Sequence, residues 1–169
     1  MNNFPFRLIL NDIRSTHNVG AILRTADACG IELVYACGYT PYPLQPQDPR
    51  PAHIAAANHR AIAKTALGAE QTIPVAHYTD TASAIRHARS DGFTITVLEQ
   101  AESSLSLFDY QPSVPTALIV GNEVDGVEPA SLAAADTILE LPMLGAKESL
   151  NVSVATGIAL YRLRFGATV

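Results

Sequence analysis

The sequence predicts an α/β fold whose mostly parallel sheet is covered by helices on both faces. Short, continuous apolar segments alternate along the chain with segments whose apolar residues recur every three to four positions. The apolar segments contain few polar residues, as expected for strands buried on both faces of a parallel sheet. The 169 residues match the size of one domain. We therefore expect a single domain over residues 1–169.

The N-terminal part predicts a strand, a helix and a second strand. Residues 7–10 form a short apolar run that ends at Asn11-Asp12, which predicts a buried strand. Residues 17–29 have apolar side chains at helical spacing and stop at Gly30, a common residue after helix ends. Residues 31–37 form the next apolar run. Five prolines in residues 38–51 exclude regular structure and predict a long loop.

The remainder of the chain continues this alternation. Alanine-rich residues 52–67 favour a helix. Leu150, Val154, Ile158, Tyr161 and Phe165 recur at helical spacing and predict a final helix with an apolar face. Between these helices the sequence predicts strands at 72–76, 93–98, 115–120 and 137–141, helices at 79–90 and 128–135, and a loop at 99–112.

Charge is unevenly distributed. The net charge is −5, which by itself argues against a nucleic-acid partner. Residues 1–64 hold six basic and four acidic side chains, residues 65–146 hold two and eleven, and residues 147–169 hold three and one. Both ends are therefore basic, and the total is a poor guide to partners. Charged residues make up only 16% of the chain, below the usual ~25%, which favours a buried subunit interface.

Several function classes lack their sequence signals. Cys29 and Cys37 lie eight positions apart without a C-x-x-C pair, so we expect reduced buried thiols and no metal site. The N-terminus lacks the basic and apolar regions of a signal peptide. No apolar run approaches the ~20 residues of a membrane span. We therefore expect a cytoplasmic protein without a membrane partner.

Polar residues are concentrated after three of the predicted strands, at 11–20, 121–126 and 142–151. Ligands of open parallel sheets bind at the carboxyl ends of strands. Gly121 and Gly126 have the spacing of a P-loop, but Val127-Glu128 replaces its Lys-Ser/Thr pair. The chain also lacks a G-x-G-x-x-G sequence after a strand and a G-x-S-x-G elbow. Phosphate-handling and hydrolase functions are therefore not supported.

Three segments together resemble the motifs of SpoU-type RNA ribose methyltransferases. They are the segment from Asn18-Val19-Gly20 to Arg24 and Gly30, the segment 119–127, and Leu141-Pro142-Met143 with 149–155. They occur in the family order and spacing. The resemblance implies the SPOUT α/β knot with a C-terminal trefoil, methyl transfer to a ribose 2′-hydroxyl, and a homodimer with its active site at the interface.

The resemblance also implies S-adenosylmethionine as the cofactor. Glycines allow backbone groups to approach an adenosine closely, and leucines and methionine would form apolar walls around adenine. The cofactor residues that we expect are Leu98, Gly121, Asn122, Gly126, Leu141, Met143, Gly145 and Leu150.

Arg24 is the catalytic residue that the resemblance favours. A guanidinium is a poor general base, because its pKa lies above about 12. We expect Arg24 to bind the target phosphate and stabilise the developing alkoxide. The alternative is an ion pair with Asp27 or a neighbouring chain.

Four other residues are candidates for the active site. Asn18 would order the first loop or cap a helix. Glu123 would orient Arg24 or a residue of the partner chain, or would be a solvated acid. Ser149 and Asn151 would cap the last helix or contact the substrate ribose.

RNA is the expected partner, with tRNA placed ahead of rRNA. Binding would use the basic N-terminal third, including Arg50, Arg60 and Lys64, and the basic end of the last helix. Histidines 17, 53 and 59 are candidate RNA contacts or ordinary polar residues. We expect no separate RNA-binding extension. Two alternatives remain open: a non-catalytic dimeric RNA-binding knot protein, and a base methyltransferase of the same superfamily that uses Asp125.

Overall fold

A computed structural model describes residues 4–166, which form one seven-stranded sheet and six helices. The strands are β1 Phe6–Asn11, β2 Leu33–Cys37, β3 Val75–Tyr78, β4 Thr94–Leu98, β5 Leu105–Ser106, β6 Thr116–Val120 and β7 Thr137–Glu140. The helices are α1 Thr16–Ala28, α2 Ala52–Ala66, α3 Ala69–Thr72, α4 Thr81–Ser90, α5 Pro129–Ala133 and α6 Val152–Phe165.

The strands are ordered β3-β2-β1-β6-β4-β7-β5, and every pairing is parallel. At the centre of the sheet, Ile9 of β1 pairs with Tyr35 of β2 and Ile119 of β6. The predicted fold class is therefore confirmed. The order, with β6 inserted between β1 and β4, is consistent with the expected trefoil knot. The threading of the knot stays a prediction.

Alternate residues of each strand pack into two separate apolar layers. Leu8, Leu10 and Leu118 face α1, α2 and α6. Ile9 and Ile119 face α4 and α5 on the other side of the sheet. This arrangement explains why the strands are continuous apolar runs, since both of their faces are buried.

Two short elements were not predicted. Helix α3 includes Thr72, so β3 begins at Val75 instead of within the expected strand 72–76. Strand β5 lies inside the expected loop 99–112. Elements of four and two residues are too short to produce a detectable apolar period. The loop at 38–51 is confirmed, as is the burial of the reduced Cys29 and Cys37.

Helix α6 has a second apolar face that the other residues of the described chain, 4–166, leave exposed. Its buried side consists of Thr156, Ala159, Leu160 and Leu163. The predicted stripe instead faces outward, and its exposure ranges from 36% at Ile158 to 51% at Tyr161. Within the described residues, no helix is long and apolar enough to cross a membrane.

Gly20 permits close contact between α1 and α2. A Cβ atom at this position would lie within 3.0 Å of Thr65 Oγ1 and of the backbone of Ile62 and Ala66. The Thr65 hydroxyl also donates to the carbonyl oxygen of His17, at 3.0 Å. Gly20 therefore lets the first motif helix pack directly on the backbone of α2.

We expect Gly20→Ala to lower the free energy of unfolding by about 1–3 kcal/mol, because α1 and α2 must separate to admit the methyl group. Gly157→Ala in α6 is the matched control. Its Cβ would meet only Thr25, at 3.8 Å, and alanine is favoured over glycine in helices by about 1 kcal/mol. Denaturant unfolding of both variants measures the difference. Equal stability of Gly20→Ala and the wild type would contradict this account.

Candidate functional site

A cleft, called the main cleft below, lies at the carboxyl ends of β4, β6 and β7. It has a volume of about 680 Å³ and is bordered by the 121–126 turn and the 141–152 loop. These are two of the three polar segments that the sequence placed after strands. The cleft is therefore located where ligands of open parallel sheets bind.

Two glycines form the 121–126 turn. The turn is closed by hydrogen bonds from Asn122 N–H to Gly126 O, at 2.9 Å, and from Gly126 N–H to Asn122 O, at 3.1 Å. A Cβ at Gly121 would lie within 3.0 Å of the Gly126 and Val127 backbone, and Gly126 has φ +70°. Both predicted glycines line the cleft, and the geometry of the turn requires both.

Asn122 lines the cleft, but its side chain is bonded within the protein. Its Nδ2 donates to the Asp12 carbonyl oxygen, at 2.8 Å, and to the Tyr39 hydroxyl, at 2.5 Å. Its Oδ1 accepts from the N–H groups of Val124, at 2.7 Å, and Asp125, at 3.1 Å. Asn122 therefore shapes the cleft by holding its turn.

The predicted apolar walls are present. Leu98, Leu141, Met143 and Leu150 all line the cleft. Gly145 does not, and a Cβ there would meet no atom within 4 Å. Gly145 is exposed, and no contact within the described chain requires a glycine there, so its expected approach to the cofactor stays a prediction.

The cleft is acidic, which was not expected for the cofactor site. Within the described chain the lining includes five acidic residues and no Lys, Arg or His; the acids are Glu99, Glu123, Asp125, Glu140 and Glu148. Position alone could have identified Glu99 and Glu140, since each stands at the carboxyl end of a strand. Carboxylates in a cleft favour a cationic ligand and disfavour a phosphate.

Some of these acids also hold the cleft together. Glu99 accepts hydrogen bonds from Val127 N–H and Gln100 N–H, both at 2.9 Å. The Gln100 side chain then donates to the carbonyl oxygen of Glu148, at 2.7 Å. The segment after β4 is thereby tied both to the 121–126 turn and to the 141–152 loop.

A hydrogen-bonded cluster at the edge of the cleft joins the three motif segments. Asn18 Nδ2 donates to Glu123 Oε1, at 2.7 Å, and Asn151 Nδ2 donates to Asn18 Oδ1, at 3.1 Å. Glu123 also accepts the N–H groups of Arg14, at 2.9 Å, and Ser15, at 3.2 Å. Through these hydrogen bonds Asn18 and Glu123 hold the first loop in place, as expected for Asn18.

These contacts define the role of Glu123. Partial burial by itself would raise the pKa of its carboxyl, but hydrogen bonds from Arg14 N–H, the Asn18 side chain and Ser15 N–H outweigh burial and hold the pKa below its usual range. The expected contact between Glu123 and Arg24 is absent from the described chain. Glu123 instead positions Asn18 and the start of α1.

The helix caps differ partly from expectation. Ser15, not Asn18, caps α1, because its side chain accepts Asn18 N–H at 3.3 Å. Asn151 caps α6 by accepting Ser153 N–H at 2.9 Å, which confirms the capping role predicted for it. Its predicted contact with the substrate ribose stays a prediction. Ser149 is exposed and lines the cleft.

Arg24 is separate from this cluster. It is exposed on α1 and does not line the cleft. Within residues 4–166 its guanidinium makes no hydrogen bond and no ion pair, and Asp27 instead accepts from the Thr72 hydroxyl, at 2.7 Å. The alternative ion pair with Asp27 is therefore wrong. One chain brings together Asn18, Glu123, Ser149 and Asn151 but not Arg24.

Several basic residues expected to bind RNA are engaged within the fold. Arg50 pairs with Asp48 at 2.6 Å and stacks on Tyr42, with its guanidinium carbon 3.5 Å from the ring centre. Arg162 donates to the carbonyl oxygen of Phe108, at 2.7 Å, and Arg164 to that of Cys29, at 2.9 Å. These residues hold loops and chain ends in place, so their guanidinium groups are less available to RNA than those of unbonded arginines, and their contact with RNA stays a prediction.

Arg60 and Lys64 fit the expectation better, because both are exposed on α2. His17 and His53 are also exposed, whereas His59 accepts a hydrogen bond from Leu44 N–H, at 3.4 Å. The described residues contain no group of three or more His, Cys, Asp or Glu side chains that could hold a metal ion.

The model of the SpoU rRNA Methylase family matches residues 5–161. The chain belongs to this family. The match includes all three motif segments and every residue of the Asn18–Glu123–Asn151 cluster. Membership agrees with the resemblance seen in the sequence.

Relatives of this SpoU family member include a longer protein of Shewanella oneidensis, named 23S rRNA (guanosine-2′-O-)-methyltransferase RlmB. The two are 35% identical over 159 residues, which are 94% of this chain and 58% of that protein. The chain therefore spans less than two thirds of the curated relatives that it matches.

Solved structures of the family have the same fold. An AdoMet-bound rRNA methyltransferase from Sinorhizobium meliloti is 28% identical, with a TM-score of 0.75 over 93% of this chain and 54% of that one. A TrmH/SpoU tRNA modifying enzyme from A. aeolicus is 26% identical, with a TM-score of 0.72 over 98% of this chain and 76% of that one.

We expect Glu123→Gln to lower the free energy of unfolding by about 1 kcal/mol at pH 7, because an amide NH₂ would face N–H donors. The folded-state pKa lies below the ordinary value of about 4.3, so the stabilisation is complete above that value and is lost as the pH falls through the folded pKa.

Thermal unfolding between pH 7 and 3 measures this difference. Glu102→Gln is the control, since Glu102 is exposed and a surface substitution of this kind changes stability by less than about 0.5 kcal/mol. A Glu123→Gln effect that stays constant down to pH 3 would show that the carboxylate charge contributes nothing.

Proposed function

We propose that this SpoU family protein transfers a methyl group from S-adenosylmethionine to a ribose 2′-hydroxyl of RNA. The observation that carries the proposal is the cleft, which combines apolar walls with five carboxylates and, in the described chain, contains no cationic side chain. An adenosine that bears a sulfonium cation matches these properties, whereas a nucleoside polyphosphate does not.

The cleft residues fit this cofactor, which supplies an electrophilic methyl group when bound. Leu98, Leu141 and Leu150 would hold the adenine ring by apolar contact. Backbone groups of the 121–126 turn stand at the cleft surface because Gly121 and Gly126 carry no side chain. The surrounding carboxylates would favour the positive charge of the ligand.

Arg24 would act on the RNA. Its guanidinium is exposed and makes no ion pair among the described residues, so it can bind a phosphate through two hydrogen bonds. A fixed positive charge near the 2′-oxygen would also stabilise the developing alkoxide. Because a guanidinium is a poor base, the proton would leave to a phosphate oxygen or to water.

A homodimer would supply the arginine that the cleft of one chain lacks. Val152 and Ala155, in the first turn of α6, line the cleft. Val154 and Ile158 are exposed on the same helix, by 50% and 36%. A second copy packed on this stripe would bury apolar area next to the cleft and bring its own residues to the cleft edge.

Ribosomal RNA is the substrate class that the relatives favour. The matched RlmB protein is named for 23S rRNA and is 35% identical, whereas the A. aeolicus structure named for tRNA modification is 26% identical. We therefore propose rRNA ahead of tRNA as the substrate class. The preference for tRNA over rRNA that the sequence suggested is not supported by these two comparisons.

Tritiated methyl transfer to total RNA from a strain lacking this protein tests the proposed function. We expect a 2′-O-methylnucleoside after digestion and labelled rRNA after fractionation. A methylated base would favour the alternative of base methylation. Absence of S-adenosylmethionine binding in calorimetry would favour the alternative of a non-catalytic RNA-binding protein.

We expect Arg24→Ala to lower kcat by about 10²–10³-fold, as for the loss of a group that stabilises a developing oxyanion. Cofactor affinity should be unchanged, because Arg24 does not line the cleft. Arg86→Ala removes an exposed arginine from α4 and is the control. Full activity of Arg24→Ala would refute the catalytic assignment.

We expect Ile158→Arg to produce a monomer, since it places a charge in the middle of the exposed stripe of α6. Ile54→Arg is the matched control, because Ile54 is 44% exposed on a different helix. Sedimentation velocity gives the oligomeric state of both variants and of the wild type. A wild-type monomer, or a dimeric Ile158→Arg protein, would overturn the proposed interface.

A further inference from the structure

An exposed surface lies beside the cleft, where the loops after β1, β2 and β6 meet. We call it the Arg14–Tyr39 surface, after the two side chains that form it. These strands are neighbours in the sheet, so their carboxyl ends are adjacent. Tyr39 N–H donates to Asp12 Oδ1, at 3.1 Å, and Arg14 N–H donates to Glu123 Oε2, at 2.9 Å. The backbone under both side chains is therefore fixed.

Tyr39 is held at one end and exposed along its ring. Its hydroxyl accepts the hydrogen bond from Asn122 Nδ2, while the residue is 60% exposed. Within the described chain the ring has no aromatic or cationic partner. The preceding Gly38 has φ +61°, and a Cβ there would lie within 3.0 Å of the Asp12 carboxylate. Glycine at position 38 therefore permits the turn from which the Tyr39 side chain projects.

The positive charge of Arg14 is not neutralised by the fold. Its side chain is exposed, and its guanidinium makes no hydrogen bond or ion pair within residues 4–166. Two carboxylates of the adjoining loops have other partners: Glu123 accepts three donors, and Asp12 accepts Tyr39 N–H and Asn11 Nδ2, the latter at 3.2 Å. A free guanidinium on a fixed backbone suits an anionic group such as a phosphate.

The surroundings of Tyr39 also leave space for a ligand. The residue lines a second hollow of about 190 Å³, where the rings of Tyr42 and His77 stack with centres 4.5 Å apart. Through Asn122 it adjoins the turn that borders the main cleft. Tyr39 therefore stands between the two concave parts of the surface.

We propose that the Arg14–Tyr39 surface binds the RNA strand that approaches the cleft. A nucleobase next to the target nucleotide stacks on the Tyr39 ring, and a backbone phosphate pairs with the Arg14 guanidinium. Unpaired bases of RNA are commonly held by aromatic stacking, and this contact tolerates any base. The inference rests on the proposed function and adds Arg14 and Tyr39 as residues that bind the RNA substrate.

Fluorescence anisotropy with a labelled RNA hairpin that has a uridine loop tests the stacking contact. We expect Tyr39→Leu to weaken binding about tenfold, within the range that base–aromatic stacking supports. Tyr39→Phe retains the ring and should bind within about twofold of the wild type. With an abasic loop in the hairpin, Tyr39→Leu and the wild type should bind equally.

The salt dependence of binding tests the phosphate contact. Loss of one phosphate contact to a single strand lowers the slope of log K against log[salt] by about 0.7. We expect this change for Arg14→Gln and not for the control Arg86→Gln. Calorimetry with S-adenosylmethionine checks the cleft in each variant, because Asn122 links Tyr39 to the 121–126 turn.

Two results would overturn the inference. Tyr39→Leu could bind the uridine hairpin as tightly as the wild type, or Tyr39→Phe could lose as much affinity as Tyr39→Leu, which would assign the effect to the hydroxyl. The proposed function fails separately, if the wild type neither binds S-adenosylmethionine nor methylates RNA. RNA affinity of the variants is read independently of methyl transfer.

Discussion

The Glu123 carboxylate accepts hydrogen bonds from the first motif loop at Arg14, Ser15 and Asn18, and Asn18 connects it to Asn151 at the start of α6. The first motif loop is more than 100 positions from Glu123 and from Asn151 in sequence. It meets Glu123 because β1 and β6 are neighbours in the sheet. The edge of the cleft therefore depends on one acceptor that serves several donors. Its exposure to solvent weakens each contact, but their number keeps the carboxylate in one place.

Charge is separated in space as it is in sequence. Four of the five acids in the cleft come from the acidic middle of the chain, whereas the exposed Arg14, Arg24, Arg60 and Lys64 come from the basic N-terminal third. The fold thus gathers negative charge around the cleft and leaves positive charge outside it. A negative net charge of the chain is compatible with the proposed RNA substrate, because the proposed cofactor is cationic and RNA is anionic, and each would meet a surface of opposite charge.

The sequence predicted much of the fold, because long apolar runs and helical periods are local signals. It also identified most of the cleft, since Gly121, Gly126 and Met143 lie in motifs that follow strands. It did not show that Arg50 and Arg164 are bonded within the fold, because a cation bonded to a distant carbonyl or a nearby carboxylate looks the same in sequence as a free one. It also missed the exposure of the α6 stripe, since periodicity shows that a face is apolar but not what covers it.

The two cysteines have a practical consequence. Burial raises the pKa of Cys29 to about 11 and that of Cys37 to about 12. At pH 7 only about one Cys29 thiol in ten thousand is then a thiolate, which is the form that reacts with maleimides and oxidants. The two native cysteines are therefore expected to react only slowly with thiol-labelling reagents. A cysteine introduced on the surface can carry a spin label or a fluorophore without first removing the native pair.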